Sequence, residues 1–506
     1  MVPSVSSTDV AHRAVRSTAI SLVGQLATQL LRFASTIVLA RFLPESAFGV
    51  NAIVASLTLG LWMVSDVGIP ASILKSERDD DDFVSTAWTL SLVRGGMLLV
   101  AGCVLGVPAA WLYDEPQLLW LMPLGSLMIF FVAAESTRIY SATRTMQLGR
   151  VVGIEVSAQV VALAVSIPTA IATGHVIAFV VGAAASGLVK LVLSHLVLPG
   201  SRVRIVWDGT ATSEILSFGK WIFLSTLCAY VAVRWDIFAL GRLEGMALLG
   251  VYGLANQITS VPHQMAIHAT GNVLTPVLAD AFRSSKERFR ERLAMARRAY
   301  IPVALLLFVG AATTAPAFFI LAFKQGFHAA GPMAQALMVQ AWFDFLQEAS
   351  SRSLLARGDG RGLALTNALK LVATIVGTYV GLQLWGFWGF VWGNACGGLV
   401  GIVAVGLRLR GQGLPEVLWA DLQAAAGLLL VLAVSCGVPV LLQDSRGWPA
   451  AWTTLVGCMV VCGPVGLIVL RRIREARASL AAHASAVTSA MTSAVSSASL
   501  TVTGAE

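Results

Sequence analysis

Two stretches of the chain, ARFLPESAFGVNAIV at 40–54 and GRLEGMALLGVYGLA at 241–255, carry one pattern at a constant offset of 201 residues. The offset aligns three identical pairs: Arg41 with Arg242, Gly49 with Gly250, and Val50 with Val251. Each stretch joins the end of one long apolar run to the start of the next, and six runs separate the two copies. Because six is even, both copies have the same orientation in a membrane, as parallel transporter repeats do.

The composition places the chain in a lipid bilayer rather than in water. Of its 506 residues, 57% are hydrophobic and only 12% are charged, and the mean hydropathy is +0.77. Soluble domains carry about 25% charged residues, so this chain could not cover a globule with polar surface. Its apolar stretches are continuous, whereas a membrane β-barrel needs alternating segments of about ten residues. We therefore predict an all-α, polytopic membrane protein.

About fourteen apolar runs are long enough for a transmembrane helix, which takes roughly 20 residues. They lie at 17–40, 47–69, 84–107, 117–138, 151–172, 175–198, 215–240, 248–275, 299–323, 332–356, 362–384, 386–407, 418–442 and 449–470. With the repeat, they predict two six-helix bundles, at 1–198 and 215–408, related by an axis along the membrane normal. Transmembrane helices 13 and 14 follow at 418–470, and the Ala/Ser-rich segment 478–506 is predicted to be a low-complexity cytoplasmic tail.

The positive charges predict the orientation, because Lys and Arg accumulate in short cytoplasmic loops. If the N-terminus is cytoplasmic, the inner connections hold most of the 35 lysines and arginines, and the outer ones hold four: Arg41, Arg242, Lys324 and Arg446. Both termini are therefore predicted to be cytoplasmic, in the cell inner (plasma) membrane. The basic stretch at 283–298 is predicted to be an interfacial amphipathic helix that contacts anionic lipid rather than nucleic acid.

A family resemblance rests on three stretches. GQLATQLLRFASTIVLARFLPESAFGVNAIV (24–54), SDVGIPASILK (65–75) and FGKWIFLSTLCAYVAVRWDIFALGRLEGMALLGVYGLA (218–255) resemble the Wzx-type polysaccharide biosynthesis flippases of the multidrug/oligosaccharidyl-lipid/polysaccharide exporter superfamily. The resemblance covers about 17–410, but the acidic run at 79–82 and the Ala/Ser tail depart from it. It implies a flippase that moves an undecaprenyl-pyrophosphate-linked oligosaccharide from the cytoplasmic to the periplasmic leaflet. A polysaccharide polymerase and export proteins are the further partners that such a role implies.

Cationic side chains inside the apolar runs are the candidates for binding the pyrophosphate, because ionisable groups at bilayer depth need a partner or a water-filled cavity. They are Arg32, Arg94, Arg234 and Lys370, with His263 as a further phosphate contact. Guanidinium groups suit phosphate oxygens, and Arg32 and Arg234 lie in repeat-equivalent runs from which they could approach one ligand. The alternatives are local pairing or snorkelling for the arginines and a structural hydrogen bond for His263.

Three acidic side chains, Asp66, Asp236 and Asp344, are the candidates for binding a coupling H⁺ or Na⁺. Asp344 shares one helical stripe with Glu348 and Arg352. Glu348 and Arg352 are predicted to form a structural ion pair at i,i+4, which leaves Asp344 without an ion-pair partner. Asp236 is two residues from Arg234 and so lies on another face of its helix.

No nucleotide-binding loop, metal-ligand spacing or catalytic motif occurs, so we predict no cofactor, no metal and no enzyme. Two alternatives stay open. An H⁺- or Na⁺-coupled drug or metabolite exporter of the same superfamily would favour acidic cavity residues. A membrane-embedded polysaccharide polymerase or ligase would need a sizeable outer loop.

Overall fold

The computed structural model describes residues 7–65, 81–144, 147–198, 204–207, 230 and 234–446 of the chain. Helices and no strands occur in this part of the chain. Four predicted features lie wholly or mostly outside the described residues: Asp66, the run at 215–240, the run at 449–470 and the tail at 478–506.

Thirteen helices follow one another in the described ranges. They are α1 (Ser7–Phe42), α2 (Glu45–Val64), α3 (Asp81–Tyr113), α4 (Leu118–Ala133), α5 (Arg138–Arg144), α6 (Leu148–Thr173), α7 (Ile177–Val197), α8 (234–243), α9 (Met246–Ser284), α10 (Lys286–Ala322), α11 (Ala330–Ala356), α12 (Gly360–Gly411) and α13 (Pro415–Arg446).

The polytopic, all-α fold is confirmed, because eight of the described helices are long and apolar enough to cross a membrane. These are α1, α2, α3, α6, α7, α10, α12 and α13, and α4 is a shorter apolar helix. The count of fourteen stays a prediction. The predicted runs 151–172 and 175–198, and 362–384 and 386–407, are separated by only one or two residues, and the structure has a break at each place. Gly174 ends α6 with φ of 60°, and the backbone leaves helical geometry inside α12 at Trp385 and Gly386.

The described chain forms two compact units. The first comprises Met1–Leu254 with Ala322–Phe327, and the second comprises Ala255–Leu321 with His328–Glu506. Within the first unit, α4 packs against α2, α3 and α7, and α6 packs against α1 and α7. The predicted bundle limits of 1–198 and 215–408 stay a prediction.

The two repeat copies cross inside the first unit at their aligned glycines. A Cβ atom added to Gly49 would lie closer than 3.0 Å to the carbonyl oxygen of Met246, and one added to Gly250 would lie as close to the carbonyl oxygen of Glu45. Glu45 and Met246 are themselves separated by the repeat offset. The contact is therefore self-complementary, with the same positions meeting from both sides, as at an interface between symmetry-related elements.

Lys324 contacts the C-terminal end of α1 and the N-terminal end of α2 in the first unit. Its Nζ donates to the carbonyl oxygen of Leu43 at 2.6 Å and lies 3.8 Å from Glu45 Oε1. The last carbonyls of a helix lack intrahelical donors, so a lysine at this position satisfies one of them.

Helix α11 forms the centre of the second unit and packs against α12 and α13. It is buried on all sides, as expected of a helix surrounded by other helices. Its core contacts are aromatic: the Trp342 ring centroid lies 5.3 Å from that of Phe308 and 5.6 Å from that of Phe345.

Helix α12 folds back on itself, because Gly386 adopts φ of 59°, which suits glycine. Glycines line both halves of this hairpin. A Cβ atom added to Gly377 would lie 2.7 Å from the carbonyl oxygen of Gly393, and Gly381 and Gly389 approach each other as closely. Small residues at such spacing let two membrane helices pack backbone to backbone.

The basic stretch at 283–298 is not a separate interfacial helix. Ser285 alone separates α9 from α10, and the stretch then continues as the first turns of a helix that ends at Ala322. Phe289, Leu293 and Arg297 are buried at four-residue spacing. This stripe packs into the second unit, so the helix continues instead of lying apart from the bundle.

Asp359 joins the two ends of α12. Its carboxylate caps the N-terminus by accepting from the Gly362 N–H at 2.9 Å, and it accepts from Arg408 Nε at 2.8 Å and from Gln412 Nε2 at 2.6 Å. Hydrogen bonds from Arg408 and from the Gly362 N–H lower the pKa of Asp359 to about 2. The ordinary value is 3.8.

We expect Asp359→Asn to lower the apparent melting temperature in detergent at pH 7, because the amide cannot hold Arg408 as an ion pair. A lowered pKa stabilises the fold fully above the ordinary value and loses this effect as the pH falls toward 2. The variant and the wild type should therefore differ by a constant amount between pH 5 and 8 and converge below about pH 4. Glu287→Gln, at an exposed position of α10, is the control. A difference that persists unchanged at pH 2 would contradict the assignment.

Candidate functional site

The first unit buries an arginine against the C-terminal end of α2. Arg94 of α3 is 6% exposed. Its Nε donates to Ser65 Oγ at 2.9 Å, its Nη2 donates to the Trp62 carbonyl oxygen at 2.6 Å, and its guanidinium lies 4.2 Å from the centroid of the Trp62 ring. These contacts fix the side chain in one orientation and offset part of the free-energy cost of removing its charge from water.

Arg94 also lines a polar cavity of about 140 Å³ within the first unit, which we call the Arg94 cavity. The walls come from α2, α3, the C-terminal end of α4 and the start of α5. Besides Arg94, its polar lining residues are Ser91, Glu135, Ser136, Thr137 and Tyr140. A polar cavity of this size has room for a few water molecules.

The two arginines expected to approach one ligand lie on different helices, α1 and α8. Arg32 is exposed on α1, and its Nε donates to Gln159 Oε1 of α6 at 3.4 Å. Arg234 is half-buried on α8.

Asp236 of α8 is buried and receives neutral hydrogen-bond donors. Its Oδ2 accepts from the Tyr252 hydroxyl at 2.7 Å, and its Oδ1 accepts from the Ile237 N–H at 2.9 Å. Tyr252 is fully buried. A carboxylate with these donors can be retained at low exposure without a cationic partner in direct contact.

The second unit brings candidate residues of both signs together in what we call the Lys370 cluster: Asp344, Gln347, Asn367 and Lys370. Lys370 Nζ lies 2.6 Å from Asp344 Oδ1 and donates to Gln347 Oε1 at 3.3 Å. Gln347 Nε2 donates to Asn367 Oδ1 at 3.0 Å. Helices α11 and α12 therefore present one ion pair within an amide network.

This pairing corrects the sequence-based expectation for Asp344. It was predicted to be left over beside the Glu348 and Arg352 pair, but it is the ion-pair partner of Lys370. The reason is a contact between two helices, which the spacing within α11 could not reveal. Arg352 Nη2 does lie 3.1 Å from Glu348 Oε1 at i,i+4.

His263 of α9 lies beside this cluster in the second unit. Its Nε2 is buried and has no hydrogen-bond partner among the described residues. Its ring meets that of Phe308 edge-on at 6.5 Å between centroids, and the charges of Asp344 and Lys370 act on it electrostatically. The ring nitrogen is thus available to a phosphate oxygen or a water molecule.

The sequence did not single out the most buried ion pair in the described part of the second unit. Arg297 of α10, 6% exposed, pairs with Asp421 of α13, 1% exposed. Ser350 of α11 completes the group: Arg297 Nη1 donates to Ser350 Oγ at 3.0 Å, and that hydroxyl donates to Asp421 Oδ2 at 2.7 Å. In the sequence, this pair could have been suspected from Asp421, a carboxylate inside the apolar run at 418–442. No group of three or more potential metal ligands occurs in the described ranges.

A family model for polysaccharide biosynthesis proteins matches residues 38–325, more than half of the chain. The chain belongs to this family. The match includes the first repeat copy, the Arg94 cavity and the glycine crossing. The resemblance stated from the three sequence stretches is thereby confirmed at the level of the family.

Two curated relatives of this polysaccharide biosynthesis protein are also similar to it. The teichuronic acid biosynthesis protein TuaB of Bacillus subtilis (strain 168) is 22% identical over 324 residues, 62% of this chain and 66% of TuaB. The succinoglycan biosynthesis transport protein ExoT of Rhizobium meliloti (strain 1021) is 20% identical over 323 residues, 63% of this chain and 64% of ExoT. The chain thus spans slightly less than two thirds of the length of each relative.

Solved structures show that the polysaccharide biosynthesis protein has the fold of membrane transporters. An inward closed conformation of the lipid II flippase MurJ matches with a TM-score of 0.63 at 12% identity, over 90% of this chain and 99% of that one. An inward-facing multidrug resistance MATE transporter of the MOP superfamily matches with a TM-score of 0.54 at 17% identity, over 79% of this chain and 95% of that one. The chain is therefore a multi-pass membrane protein.

Proposed function

We propose that the protein translocates an undecaprenyl-pyrophosphate-linked oligosaccharide from the cytoplasmic to the periplasmic leaflet by alternating access. The observation that carries the proposal is family membership in polysaccharide biosynthesis, in a chain with a transporter fold. A relative named as a succinoglycan transport protein and a structural neighbour named as a lipid II flippase support it. The protein acts in the inner membrane with both termini in the cytoplasm, and a polymerase and export proteins receive its product.

The Lys370 cluster supplies a chemical basis for coupling head-group binding to an ion. Lys370 pairs with the Asp344 carboxylate at 2.6 Å, and a phosphate oxygen competes for the same ammonium group. Protonation of Asp344 removes the competing charge and frees Lys370 for the pyrophosphate. The same cluster thus binds an anion more strongly when Asp344 carries a proton.

The remaining candidates divide by charge. Arg32, Arg94, Arg234 and His263 are proposed to contact the pyrophosphate, with His263 Nε2 the one that is buried and without a partner in the described structure. Asp66 and Asp236 are proposed as further coupling sites. The Glu348 and Arg352 pair is proposed to be structural.

The short connections on the proposed outer side favour a transporter over a polymerase or ligase. Residues 114–117, 174–176 and 323–329 join consecutive helices there, and each connection has fewer than ten residues. A polymerase needs a sheltered site for the sugar and its catalytic groups. A multidrug exporter is disfavoured by the cationic balance of the candidate residues.

We expect Lys370→Ala to lower surface polysaccharide about 10- to 100-fold, the effect of losing a hydrogen bond to a charged group. Arg32→Ala and Arg94→Ala should also lower it. Lys286→Ala, exposed at the start of α10, is the matched control and should export normally. Polysaccharide is measured on cells whose membranes contain equal amounts of each variant. Normal export by the Lys370→Ala, Arg32→Ala and Arg94→Ala variants would contradict the cationic binding site.

A deletion strain tests the direction and the class of activity. We expect lipid-linked repeat units to accumulate on the cytoplasmic leaflet, where a membrane-impermeant reagent for sugars does not reach them in intact cells. If the units reach the periplasm and stay unpolymerised, the polymerase is the correct assignment.

A further inference from the structure

Glu135 is a carboxyl group at the Arg94 cavity to which neither the sequence patterns nor the proposed substrate site assigns a role. It follows α4 by two residues and lines the cavity. Its Oε1 is inaccessible to solvent and accepts no hydrogen bond from any described residue. A buried carboxyl oxygen without a donor requires water, an ion or a proton to compensate it.

The groups around Glu135 come from four helices. Arg94 of α3 and Tyr140 of α5 line the same cavity, and the charges of Lys190 on α7 and Glu155 on α6 act on Glu135. Arg138 begins α5, and His195 lies further along α7, beside Trp88. Lys190 is already paired, with its Nζ 2.6 Å from Glu155 Oε2. Arg94 is therefore the cation that shares the cavity with Glu135.

Burial and the neighbouring charges have opposing effects on the stability of the charged Glu135 carboxylate. Burial and the nearby charge of Glu155 disfavour a charged Glu135 carboxylate, whereas the positive charge of Lys190 favours it. The two protonation states are thereby brought close in free energy. A Na⁺ ion in the cavity would be repelled by Arg94, which lines it, while a proton neutralises the carboxylate without adding a charged body to the site.

The cavity also provides a route for the proton. Its volume of about 140 Å³ accommodates a few water molecules. Hydroxyl groups of Ser91, Thr137 and Tyr140 line it alongside Glu135. A hydrated cavity lined by hydroxyls can pass a proton from a hydronium ion to the carboxylate, leaving water behind.

We propose that Glu135 is a proton-binding site of the transport cycle, separate from the Lys370 cluster and served by the water of the Arg94 cavity. The proposal rests on the proposed transport function. Loss of the proton restores the Glu135 carboxylate in the cavity that Arg94 also lines, so proton release and the charge state of the cavity are linked.

Infrared spectroscopy of the purified, full-length protein tests the site directly. Other carboxyls also protonate as the pH is lowered, so the spectra of the wild type and Glu135→Gln are compared at each pH. One protonated carboxyl band of the wild type should be missing from Glu135→Gln. Glu115→Gln, which alters a carboxyl in the outer connection after α3, should retain that band. Identical carboxyl bands in the wild type and Glu135→Gln at every pH, or a Glu135 band that responds to Na⁺ at constant pH, would overturn the proposal.

Export by intact cells tests the coupling. Glu135→Gln should lower surface polysaccharide at least about tenfold, whereas Glu135→Asp, which retains a titratable group, should restore part of it. Equal melting temperatures of the two variants show that both fold. Normal export by Glu135→Gln would exclude a role in transport. If the wild type moves no lipid-linked oligosaccharide, the proposed function fails, but the titrating band and its loss in Glu135→Gln are still observed.

Discussion

Replacing Arg297 by Met is expected to lower the free energy of unfolding by about 3–5 kcal/mol, the effect of leaving a buried charge without its partner. Asp421 is 1% exposed and loses its cation, and Ser350 donates to Asp421 at 2.7 Å without offsetting that charge. Met retains the apolar part of the Arg297 side chain. The loss of stability therefore reports the missing charge rather than the opening of a cavity. The result appears as a lower apparent melting temperature in detergent.

Helices α10 and α13 also provide the controls for this pair. Arg290 precedes Arg297 by seven residues on α10 and pairs with Glu416 on α13 at 2.6 Å, but its side chain is 58% exposed. Exposed pairs contribute about 0–1 kcal/mol, so Arg290→Ala should change the melting temperature little. The double variant Arg297→Met with Asp421→Leu should recover most of the loss, because no buried charge remains. A double variant as unstable as the single one would show that the pair acts through geometry and not through charge.

The helical fold followed from the sequence because backbone groups in lipid must be satisfied within each segment. Continuous apolar runs therefore predict helices. Gly174 lies between two predicted runs, and the break at Trp385 and Gly386 falls where the runs 362–384 and 386–407 meet. The repeat was also visible. Gly49 and Gly250 align at the constant offset, and the structure places them at one self-complementary crossing.

The ion pairs did not follow from the sequence, because their partners lie on different helices. Asp344 and Lys370 face each other across α11 and α12, whereas spacing along one helix indicated only Glu348 with Arg352. Arg297 was assigned to a cytoplasmic basic stretch, since its neighbours are charged. Its partner Asp421 is 124 residues away, and no local pattern links the two.

Gly49→Ala and Gly250→Ala should have equally large effects, each destabilising the fold by about 1–3 kcal/mol and reducing export. At both positions the added methyl group would meet a backbone carbonyl oxygen, which cannot rotate away as a side chain can. The two helices must separate, and the separation alters the contact between the repeat copies. Melting temperature and surface polysaccharide measure the two effects.

Gly253→Ala, three residues further along α9, is the matched control. Its added Cβ would lie 3.7 Å from the Cβ of Ala52, an ordinary van der Waals contact. Ala52 is the position equivalent to Gly253 in the other repeat copy, so alanine already occurs at this level of the crossing. We expect no loss, and a small gain because alanine favours helix.

The double variant distinguishes one shared crossing from two separate close contacts. If Gly49→Ala already forces α2 and α9 apart, the second methyl group at Gly250 enters space that the first has opened. The double variant should then be less destabilised than the sum of the two single effects, since residues in one contact are coupled. Strict additivity would mean that each glycine packs independently. The aligned glycines would then form two separate close contacts rather than one shared crossing.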